Sequence, residues 1–144
     1  MNQELVFKFT VDGDDFTSAG QASVQIKKNL RELGISAEVI RRVSIAMYEG
    51  EINMVIHAGG GIAVVKVNED YIDIILEDNG PGIADIEQAM REGFSTAPDQ
   101  IRSLGFGAGM GLPNMKRYTD SMQIFSEVGV GTRVVMRVNC KEDT

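Results

Sequence analysis

Glu49 and Asn53 stand four residues apart in the segment YEGEINMVIHA, a spacing that stacks two side chains on one face of a helix. In helical projection Ile45, Glu49, Ile52, Asn53 and Ile56 share a stripe roughly 100° wide. A carboxylate and an amide set among isoleucines need partners, because burying either one unpaired is costly. Two arrangements meet that need. One is a hydrogen-bond network within the protein. The other is a hydrated cation, and an Asn carbonyl beside a carboxylate suits Mg²⁺, a hard ion that prefers oxygen and keeps several waters. Glu51 projects to a different side with Ser44 and Tyr48. That side is the expected solvent face, so Glu51 reads as a solvated surface charge. Val43, Ala46, Met47 and Met54 form a second apolar side, and His57 receives no role.

Two glycine clusters and a threonine add to this pair. Asp78-Asn79-Gly80-Pro81-Gly82 reads either as a surface turn or as a place where a planar ligand approaches the backbone. In the second reading Asp78 accepts a hydrogen bond from an exocyclic amine such as that of adenine. The run Gly105-Phe106-Gly107-Ala108-Gly109-Met110-Gly111-Leu112 precedes a helix. A glycine loop feeding a helix N-terminus can cradle phosphate, since free N–H groups and the helix dipole favour anions. The alternative is a flexible linker. The sequence lacks the P-loop pattern, the dinucleotide G-x-G-x-x-G after a strand, and the protein-kinase set with H-R-D and D-F-G. Thr132 follows Gly131 and opens the last strand.

The elements that must position these residues follow from periodicity. Residues 4–11 alternate as a strand, with Leu5, Phe7 and Phe9 on one side. Asp14 and Asp15 offer capping chemistry for a helix over 16–33. A second helix is predicted over 36–58, ended by Gly59-Gly60-Gly61. Strands follow over 62–68 and 71–77, with a tight turn at Glu69-Asp70. A short helix is predicted over 85–91, then a long loop over 93–110 that reads as a lid ordering over the phosphates. Pro113 suits the first turn of a helix reaching Tyr118, and strands over 122–127 and 132–138 close the chain. The order predicts a two-layer α/β sandwich, with helices on one face of a mixed sheet, as one domain over 1–144.

Composition removes several function classes. With 14 Lys+Arg against 21 Asp+Glu the net charge is −7, which argues against a nucleic-acid surface. No apolar stretch approaches the length needed to span a bilayer, and the N-terminus lacks signal-peptide character. One cysteine and one histidine leave no zinc site, and a reducing cytoplasm is the expected setting.

As an ordered set, Glu49…Asn53, Asp78-x-Gly80-x-Gly82, Gly109-x-Gly111 before a helix and Gly131-Thr132 resemble the gyrase, chaperone, histidine-kinase and mismatch-repair ATPase superfamily, the Bergerat fold. Over nearly its full length the chain is similar to the small bacterial anti-sigma and switch-kinase branch, through EDNGPGI, GFST and GAGMGLPNMKR. Gly50 departs from the family, where Ala is usual, at a cost of about 1 kcal/mol in helix propensity.

The resemblance implies ATP and Mg²⁺ as ligands, with Asn53 binding the metal and Glu49 acting as general base. It implies that Asp78 reads adenine with help from Thr132 through water. Gly80 and Gly82 belong to that turn. Gly107, Gly109, Gly111 and Leu112 would offer backbone contacts to phosphate, and Arg102 is a lesser candidate for the γ-phosphate. Lys116 and Arg117 read as helix-capping or solvated residues. The implied activity is phosphorylation of Ser or Thr on a small STAS-type antagonist protein. The competing class is a binding module that sequesters a sigma factor or activates a phosphatase by contact. The same resemblance leaves room for a homodimer and names neither a nucleic-acid nor a membrane partner.

Overall fold

A computed structural model of the chain describes residues 4–13, 19–91 and 111–140. Within these, five strands form one sheet: β1 (Leu5–Asp12), β2 (Gly60–Val67), β3 (Tyr71–Asp78), β4 (Ser121–Glu127) and β5 (Gly131–Asn139). The helices are α1 (Gln21–Glu32), α2 (Ala37–Ala58), α3 (Ile86–Ala89) and α4 (Gly111–Arg117). Helices α1 and α2 cover one face of the sheet, and α4 packs on α2, giving the expected two layers.

The strand order is β1-β2-β3-β5-β4, and every pairing is antiparallel. This corrects the expected mixed sheet. β3 and β4 do run in the same direction after their helical crossover, but β5 folds back between them and pairs antiparallel with both.

Alternation sets the inward face of each strand. Ala63 and Val65 of β2, Ile72 and Ile74 of β3, and Met136 and Val138 of β5 are fully buried. They meet Ile26 and Leu30 of α1 and Val43, Ala46 and Met47 of α2, which are equally buried. α2 starts where the Ser36 side chain accepts the Val39 N–H at 3.3 Å, and it stops at left-handed Gly59. The turn before β3 is held by Asn68, whose side-chain oxygen accepts the N–H groups of Asp70 and Tyr71.

Two departures matter for the site. α1 begins at Gln21, not near residue 16, and its N-cap is left-handed Gly20, which has no side chain to cap it. Asp14 and Asp15 lie outside the described residues. The second departure explains Gly50. A Cβ there would overlap Leu76 Cδ1 on β3 and lie 3.5 Å from Met115 Cε on α4. The glycine lets α2 sit directly on the sheet, so its lower helix propensity is offset by close packing.

Candidate functional site

α2 carries both Glu49 and Asn53, and its two flanks receive different neighbours. α4 lies antiparallel along one flank. Its far end is fixed to the start of α2, where Arg42 donates to the Tyr118 carbonyl at 3.2 Å and pairs with Asp120 at 3.2 Å. Midway, Asn114 Nδ2 donates to Glu49 Oε1 at 3.4 Å. At its near end, Gly111 packs on Asn53, whose amide atoms would lie 2.8 Å from any Cβ at that position. One short helix therefore touches both polar residues of the E-x-x-x-N pattern.

Glu49 is half-buried. Burial pushes its carboxyl pKa up, and the Asn114 hydrogen bond pulls it back only in part. Asn53 is also half-buried. Its Nδ2 faces Met115 Sδ at 3.9 Å, a weak contact, and among the described residues no hydrogen bond occupies its Oδ1. Among the described residues no cluster of three or more His, Cys, Asp or Glu could cage a metal. The donor set fits Mg²⁺ held by one protein oxygen together with phosphate and water, since this ion seldom uses an all-protein cage.

The other flank of α2 corrects an expectation. Glu51, read as a solvated charge, is 2% exposed. Its Oε2 accepts the N–H groups of Gly20 at 3.0 Å and Ala22 at 3.2 Å, and its Oε1 accepts that of Ser23 at 2.6 Å. It caps α1 from a neighbouring helix, supplying the acceptor that Gly20 lacks. Ser23 Oγ completes the junction by donating to the Gly20 carbonyl at 2.8 Å. Burial raises the Glu51 pKa more than these hydrogen bonds lower it.

The second half of the site lies at the end of the sheet. Asp78 closes β3 opposite Thr132 in β5. Asp78 Oδ1 accepts the N–H groups of Gly80 at 2.9 Å and Thr132 at 3.2 Å. Those bonds fix the carboxylate and, among the described residues, leave Oδ2 without a hydrogen bond. Gly80 packs against the end of α2, where a Cβ would lie 2.6 Å from Ala58 Cβ. Gly82 has φ 80° and sits on the Glu127 backbone, and the Gly129 N–H donates to the Pro81 carbonyl at 2.9 Å. The D-x-G-x-G turn is thereby clamped between α2 and the β4–β5 turn.

Two residues that the sequence reading passed over take part. Ser126 Oγ accepts the Ile83 N–H at 2.7 Å and lies 2.8 Å from Thr132 Oγ1, joining the turn to the threonine. It follows Met122 and Ile124 on the inward alternation of β4, so a polar residue on an apolar face was the available signal. Asn114 is the other. It lies three residues beyond Gly111, on the same helical face, which was its only signal. Gly111 and Leu112 were expected just before the helix, and they form its first two residues. Gly107, Gly109, Arg102 and the lid over 93–110 lie outside the described residues.

Residues 15–142 match the family described as histidine kinase-, DNA gyrase B-, and HSP90-like ATPase. The serine/threonine-protein kinase RsbT of Bacillus subtilis is 36% identical over 118 residues, covering 78% of this chain and 83% of that protein. An anti-sigma F factor of Clostridium acetobutylicum is 34% identical over 139 residues, covering 93% of this chain and 90% of that protein. The crystal structure of the RsbU and RsbW domains of Rv1364c from Mycobacterium tuberculosis aligns with a TM-score of 0.61 at 15% identity. That alignment covers 97% of this chain but 34% of the other, and it speaks for the fold alone.

Proposed function

Given that the chain belongs to the histidine kinase-, DNA gyrase B- and HSP90-like ATPase family, we propose that it is a Mg·ATP-dependent serine/threonine protein kinase of a bacterial sigma-factor switch. Its substrate in this reading is a small STAS-type antagonist protein, and the 144 residues act as one domain. Among the described residues no helix is long and apolar enough to cross a membrane. The cytoplasm is the proposed setting, where the lone thiol of Cys140 stays reduced.

The observation that carries this reading is Glu49. It is a half-buried carboxylate one helical turn from Asn53, and burial raises its proton affinity. A base with a raised pKa is better matched to a hydroxyl at neutral pH. The attacking Ser or Thr hydroxyl gives its proton to Glu49 as its oxygen bonds to the γ-phosphorus. The bond from that phosphorus to the bridging oxygen breaks, and ADP leaves. Asp78 Oδ2 accepts the adenine amine, which favours ATP over GTP because guanine presents a carbonyl there. Thr132 supports Asp78 through its N–H. Gly80 and Gly82 keep the turn low enough for adenine to approach, and in this reading Gly107, Gly109, Gly111 and Leu112 would bind phosphate through their N–H groups. Mg²⁺ would supply charge neutralisation on the phosphates, and Asn53 Oδ1 would be the protein oxygen that holds it.

The test is phosphate incorporation into a STAS-type protein, read beside nucleotide binding by calorimetry. Glu49→Gln should bind ATP as wild type does and transfer roughly 10²–10⁴-fold more slowly. Unchanged transfer would remove the base. The similarity to an anti-sigma F factor favours a second reading, a module that holds a sigma factor by contact. In that case Glu49→Gln leaves partner binding and its ATP dependence intact.

A further inference from the structure

The amide of Asn114 has its orientation fixed from both ends. Arg117 Nη1 donates to its Oδ1 at 3.1 Å, which turns Nδ2 toward Glu49 Oε1. The result is a guanidinium–amide–carboxylate relay across the α2–α4 contact. The helix that carries it is fastened to α2 by Arg42 at one end and abuts Asn53 through Gly111 at the other. Met115, next to Asn114, is 1% exposed and locks the rotation of α4. The packing of α4 therefore keeps Asn114 beside Glu49.

We propose that Asn114 is a positioning residue for phosphoryl transfer: held by Arg117, it fixes the Glu49 carboxylate in line with the attacking hydroxyl. This rests on Glu49 being the base. A carboxylate near a helix face has several rotamers, and only some place an oxygen within reach of the incoming proton. The amide selects among them. It also favours the ionised form, since it donates to a carboxylate oxygen. Because Asn114 lies three residues after Gly111, the alignment of the base is tied to the point where the glycine-rich segment enters α4.

The experiment uses the full chain with Mg·ATP, measuring ADP formation alone and phosphate incorporation into a STAS-type protein. Asn114→Leu keeps the size and removes the donor. It should lower kcat roughly 10- to 100-fold, the scale of a misplaced catalytic group, and leave the KM for ATP within about twofold. Asn114→Asp puts a second carboxylate against Glu49. It should lower kcat further and move the acid limb of the pH–rate profile upward, whereas Asn114→Leu moves it less. The charged groups along the α2–α4 seam are Arg42, paired with Asp120, and Arg117, which holds Asn114, while Glu51 is turned to α1. A kcat within twofold of wild type in both variants, with Glu49→Gln strongly impaired, overturns the positioning role and leaves the base standing. Loss of melting temperature in step with kcat and KM would make Asn114 merely structural and also overturns it. A fully active Glu49→Gln removes the base, and this proposal with it.

Discussion

Glu49 and Glu51 are the same side chain, two positions apart on one helix, and they meet opposite fates. Glu51 is saturated: three backbone N–H groups occupy both its oxygens, and it is closed off from water. Glu49 holds one long amide contact and stays half open. The neighbour on each flank makes the difference. The uncapped N-terminus of α1 arrives with surplus donors and consumes one carboxylate. The flank shared with α4 brings a single amide and leaves acceptor capacity on the other. A carboxylate whose hydrogen bonds are complete is architecture. One whose bonds are incomplete is available for chemistry.

The comparison is broken most sharply by exchanging each carboxylate for its amide. Glu49→Gln should cost roughly 10²–10⁴-fold in transfer while the melting temperature holds. A variant that melts well below wild type would make Glu49 a second architectural residue. Glu51→Gln should do the reverse. One of its two polar atoms becomes an NH₂ group facing backbone N–H donors, so the expected loss is about 2–3 kcal/mol of stability. In a chain of this size that is a melting temperature roughly 5–15 °C lower. Thermal melts of the two variants side by side decide the matter, and equal melting temperatures would erase the distinction.

A subtler effect, the same in direction for both carboxylates, appears with pH. The Glu49 pKa is raised in the folded state, so between the ordinary carboxylate value and the raised one the folded chain holds a proton that the unfolded chain has released. Its contribution to stability is complete below that window and is lost as pH rises through it. Chemical denaturation of wild type and Glu49→Gln across mildly acid pH should show the wild type losing stability relative to the variant. Parallel curves would mean that burial does not act on Glu49 as described. The smallest effect belongs to Glu38, an exposed residue of the same helix paired with Arg41 at 3.3 Å. Glu38→Gln should change stability by no more than about 0.5 kcal/mol and leave transfer untouched. It is the proper silent control, a role Glu51 cannot fill.

What the sequence revealed follows from the range of the interactions involved. The placement of α2, its stop at Gly59, both hairpins and the alternation of the strands depend on neighbours a few residues away, and these were legible. So was the stacking of Glu49 on Asn53. The environment of Glu51 was not, because a helical projection says which residues share a side and not what arrives to cover it. Its donors come from 28 to 31 residues away. Asn114 reaches Glu49 across 65 residues and Thr132 reaches Asp78 across 54, distances at which only the assembled fold speaks. The antiparallel sheet was missed for the same reason: the insertion of β5 beside β3 is a tertiary choice. The start of α1 was misread because acidic residues upstream looked like caps, while the real acceptor lies on another helix.

Gly50 sits between the two glutamates, and its missing side chain is filled by Leu76. In evolutionary terms this makes positions 50 and 76 a single character. A lineage that places a larger residue at 50 has to turn the Leu76 side chain aside or shorten residue 76. Otherwise α2 lifts from the sheet, and Glu49 moves away from the strand that ends in Asp78. The two positions should vary as a pair among descendants of this chain, with the combined volume held nearly constant.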